Sequence, residues 1–70
     1  MVAFAPVAHF AALRAHLTQD QYAFVTRVFR THPIRSGELM LEGGVDEVTP
    51  EEFARYCLRV ATRVHREIAS

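Results

Sequence analysis

The stretch TPEEFARYCLRVATRVHREI, Thr49 to Ile68, decides how this chain is read. Thr49 carries the hydroxyl of a helix N-cap, Pro50 suits the first helical position, and Glu52 stands where its carboxylate reaches back to the cap. Val48 before the cap and Phe53 within the first turns complete a hydrophobic staple. At about 100° per residue, Phe53, Tyr56, Cys57, Val60, Ala61, Val64 and Ile68 fall on one face, with no Gly or Pro to interrupt it. That face is expected in a core. Arg55, Arg59, Arg63 and Arg66 gather on the flank of the same helix, with Glu67 the only acid after Glu52. One helix therefore offers an apolar and a cationic surface, and these four arginines are the candidate partner-binding residues.

Leu17-Thr18-Gln19-Asp20-Gln21-Tyr22 repeats the same entry device, with a staple residue, a Thr cap and Gln where Glu52 stands. It opens a helix over about 19–31 that buries Tyr22, Phe24, Val25, Val28 and Phe29 and turns Arg27 and Arg30 outward. Pro6 opens an earlier helix over about 6–17, with Phe10, Leu13 and Leu17 on one side. Thr18 follows so closely that the corner between the two must be tight. Pro33 biases His32 out of helical geometry and ends the second helix. The segment 34–48 reads as a short fourth helix or an irregular stretch: Ser36 caps Gly37 to Glu42, Leu39 and Met40 turn inward, and Gly43 is a left-handed terminator. Its rival is a hairpin turning at Gly43-Gly44. That pairing sets Leu41 across from Asp46 and Met40 across from Glu47, mixing apolar and acidic groups on both faces, so the helix is preferred. The expected fold is all-α, a single small helical domain over 1–70 with three main helices.

A chain of 70 residues buries only about 60% of the surface its unfolded form exposes, so it gains much from self-association. Seven aromatic residues are many for such a chain to hide, and a homodimer is expected. The formal net charge is zero but unevenly spread. Residues 1–37 hold four Arg against Asp20, 38–52 hold six acids and no base, and 53–70 hold four Arg against Glu67. The acidic middle can therefore compensate the Arg flank, in the same chain or in a second copy. No apolar run approaches the roughly 20 residues needed to cross a bilayer, and Met1 to Leu17 lacks the basic start of a signal peptide. No membrane partner and a cytoplasmic setting are expected.

Val48 to Phe53 resembles the closing half of a calcium-binding EF-hand loop, with Glu52 in the place of the clasping Glu. Leu41, Gly43 and Val45 then occupy the places of oxygen ligands, and Asp46 replaces the required Gly, so the capping box accounts for the match. His9 and His16 lie two turns apart without a third ligand. No metal and no cofactor are expected. Cys57 sits mid-helix on the apolar stripe, where a thiol behaves as a small hydrophobe, and the histidines and acids form no catalytic spacing. The reading is a non-enzymatic regulatory or adaptor module acting through helix-face contacts with another protein or itself. The alternative is a nucleic-acid-binding regulator, since Glu38 to Val45 ahead of a capped helix resembles the turn of a helix-turn-helix. Against it, Asp46, Glu47, Glu51 and Glu52 would be aimed at the polyanion.

Overall fold

The computed structural model describes residues 6–43 and 49–69, with side chains from residue 11 onward. Four helices make up nearly all of this: α1 (Pro6–His16), α2 (Gln19–Thr31), α3 (Pro33–Glu42) and α4 (Pro50–Ala69). No strand occurs among the described residues. The fold is a small all-α bundle in which α4 packs against each of the other three helices.

Two capping boxes start α2 and α4. The Gln21 N–H donates to Thr18 Oγ1 at 3.1 Å, and the Thr18 N–H donates to Gln21 Oε1 at 3.0 Å. The Glu52 N–H donates to Thr49 Oγ1 at 3.1 Å, and the Thr49 N–H donates to Glu52 Oε1 at 3.0 Å. Each box satisfies N–H groups that a helix start leaves without an internal acceptor. Phe53 is buried as the staple requires; its expected partner Val48 lies outside the described residues.

The core follows the α4 stripe with two differences. Phe53, Cys57, Val60, Ala61 and Val64 are buried and Tyr56 is half-buried, joined by Leu13 of α1, Val25 and Val28 of α2, and Leu39 and Met40 of α3. Ala54 is buried too, although a lone Ala reads as filler in a sequence. Ile68, expected inward, is 54% exposed, next to the last residue of α4. Tyr22, Phe24 and Phe29 are half-buried against the core, so among the described residues the large apolar side chains left in solvent are aliphatic: Ile34, Leu41 and Ile68.

The main departure is at α3. It begins at Pro33, three residues before the expected cap, and His32 serves both as the end of α2 and as the residue before α3. The His32 N–H donates to Val28 O at 2.8 Å, and the Ser36 N–H donates to His32 O at 3.1 Å. Pro33 stops one helix and starts the next because its fixed φ and missing N–H suit a first helical position. Ser36 is therefore inside the helix, 2% exposed, and its Oγ has no hydrogen-bond partner among the described residues. Since a buried hydroxyl without a partner costs about 1–3 kcal/mol, Ser36→Ala should raise stability by about 1 kcal/mol. In urea unfolding the midpoint should rise at unchanged slope; a fall would mean that the hydroxyl is bonded.

Gly43 is not left-handed either. Its φ of −78° and ψ of −12° are right-handed helical values, so conformational freedom is not what the position needs. What it needs is the absence of a side chain: a Cβ there would lie 1.7 Å from Tyr56 Oη and 2.1 Å from Cζ.

Candidate interaction surface

Tyr56 joins the end of α3 to the middle of α4. Its hydroxyl donates to Leu39 O, which also accepts the Gly43 N–H at 3.3 Å, with a longer approach of 3.4 Å to Met40 O in the last turn of α3. The bare Gly43 backbone lets the phenol in. The Arg59 guanidinium lies 5.8 Å from the Tyr56 ring centroid, within cation–π range. Beside this contact runs an open groove of about 360 Å³, lined by Leu39, Tyr56 and Val60 and by the charged groups of Glu42, Arg59 and Arg63.

The four arginines of the flank are all exposed, and they differ in company. Arg55 pairs with Glu51 one turn back. Arg63 lies between Glu67 at 3.5 Å and Glu42 at 4.0 Å. Arg59 has the Tyr56 ring, and neither Arg59 nor Arg66 has an acid partner among the described residues. Part of the expected compensation from the acidic middle is thus visible, through Glu42 and Glu51.

A further contact ties α3 to the end of α4. Arg35 holds Glu67 in a two-pronged pair, Nε to Oε1 and Nη2 to Oε2, each 2.9 Å, and reaches Glu38 at 3.3 Å. The Arg35 hydrogen bond, helped by the charges of Arg35 and Arg63, keeps the Glu67 carboxyl below its ordinary value. Because the folded value is the lower one, this contribution is present above the ordinary carboxylate range and is lost as pH falls through the lowered value. Sequence spacing gave no hint of the pair, whose members are 32 residues apart.

Cys57 is 1% exposed, and burial pushes its thiol up to about 12, the opposite of an activated nucleophile. A thiol reagent near pH 8 should label the folded chain on the order of a hundredfold more slowly than the urea-unfolded chain. Equal rates would contradict the placement of Cys57 in the core. His16 and His65 are exposed, His65 meeting Phe24 edge-on at 5.5 Å, while the His9 side chain lies outside the described residues. Among the described residues no three His, Cys, Asp or Glu side chains come together as a metal site, and no helix is long and apolar enough to cross a membrane.

No protein-family model, no curated protein and no solved structure matches the chain. The molecule is an all-α bundle with a charged, grooved face where α3 meets α4 and a second groove lined by Arg14, Leu17, Gln19 and Tyr22.

Proposed function

We propose that the protein is a non-enzymatic regulatory or adaptor module, acting in the cytoplasm through helix-face contact with another protein or with itself as a homodimer. The observation that supports this is the groove at the α3–α4 junction, whose apolar floor of Leu39, Tyr56 and Val60 is rimmed by Glu42, Arg59 and Arg63. An apolar centre within a charged rim is the layout of protein–protein interfaces. Arg55, Arg59, Arg63 and Arg66 supply the polar half of the surface. Arg59 and Arg66 matter most, because Arg55 and Arg63 already face acids of the same chain.

The test is Arg59→Gln with Arg66→Gln, which removes two exposed charges without breaking a described ion pair. Self-association in low salt should weaken while the melting temperature at low protein concentration falls by no more than about a few degrees, from loss of the Arg59–Tyr56 contact, and the weakening should fade as salt rises. If association is unchanged, the row is a solvated face. Steep, salt-sensitive binding to generic duplex DNA would favour the nucleic-acid reading instead.

A further inference from the structure

Deepening that reading, we infer that the partner is a second copy of this chain, with the outer face of α3 in one copy lying along the outer Arg row of α4 in the other. The outer face of α3 carries the two most exposed large apolar side chains of the described residues, Ile34 at 79% and Leu41 at 60%. They are seven residues apart, hence on one line of the helix about 10.5 Å apart. Between them Gly37 leaves open space, with nothing within 4 Å of where a Cβ would be, so another helix can approach closely. Glu38 and Glu42 stand beside this line with exposed side chains, each held only loosely, at 3.3 Å by Arg35 and at 4.0 Å by Arg63.

The α4 row has the matching chemistry. Arg59 and Arg66 are also seven residues apart, with the same rise of about 10.5 Å, and have no acid partner among the described residues. Two acids beside an apolar line on α3 thus meet two unpaired cations on α4. Charge complementarity selects the occupant. A nucleic acid would be repelled by Glu38 and Glu42, and a foreign acidic helix would leave those two acids unanswered, whereas a second copy meets the acids of one face with the cations of the other and keeps the assembly neutral. The Arg35–Glu67 and Arg63–Glu42 bridges hold α3 beside α4, so the two faces are neighbours on one molecule. A two-fold axis therefore makes the same contact twice.

Charge exchange tests this. Arg59→Glu with Arg66→Glu reverses one face, and Glu38→Arg with Glu42→Arg reverses the other; circular dichroism confirms that both variants fold. At physiological salt each variant alone should self-associate at least about tenfold more weakly than the native chain, and an equimolar mixture should recover a one-to-one heterodimer by sedimentation. Adding Ile34→Ser and Leu41→Ser, both at exposed positions, should abolish that recovery and so separates docking from bare attraction between oppositely charged chains. If the native chain dimerises and the variants do so equally well, the dimer uses another face: this inference falls, and the adaptor reading stands. If the native chain is monomeric, the second-copy inference and the homodimer in that reading fall together.

Discussion

Replacing Phe53 by Ala is expected to unfold most of the protein at 25 °C. Phe53 is 4% exposed and closes the start of α4 against the core, directly after the Thr49–Glu52 capping box. Truncating a buried Phe costs about 3–5 kcal/mol, and a single core of this size rarely supplies more than that in total. The contrast is Ile68→Ala, on the same sequence stripe but 54% exposed, which should stay within about 0.5 kcal/mol of the native chain. Urea unfolding followed by helix signal measures both. Equal losses for the two would mean that the stripe, rather than the observed packing, describes the core.

The second large effect belongs to Gly43. Introducing a methyl by Gly43→Ala puts it on the Tyr56 phenol, which must leave Leu39 O and its place in the groove; overpacking of this kind costs about 1–3 kcal/mol. Left to its backbone alone, the substitution should help, since Ala in place of a right-handed Gly lowers the entropy of the unfolded chain. The two effects separate in a double-mutant cycle: Gly43→Ala is costly in the native chain and neutral or stabilising once Tyr56→Ala has emptied the site. An equal cost in both backgrounds would place the origin in the backbone and not in the tyrosine.

These two sites show what the sequence made legible. The starts of α2 and α4 were readable because a capping box is local, with every participant within four residues, and the α4 stripe was readable because its period is regular. Local rules misled where one residue type serves two ends. Pro33 stops α2 and also starts α3, which places Ser36 in the core and not at a cap. Gly43 stands where a left-handed terminator is expected and is instead a clearance for Tyr56, a residue 13 positions on that no local rule connects to it. The candidate surface was legible in part. The Arg row follows from helical spacing, but which of its members face acids depends on α3 and α4 lying side by side, as does the Arg35–Glu67 pair.

If the α3–α4 face is complementary to itself, sedimentation equilibrium of the unaltered chain must show a dimer. From about one to about a hundred micromolar, at physiological salt, the average mass should climb from the 7.9 kDa of one chain towards twice that value and stop there. Raising the salt should shift the climb to higher concentration. A mass that stays at 7.9 kDa across the whole range, or one that grows past the dimer without limit, would exclude a closed dimer through this face.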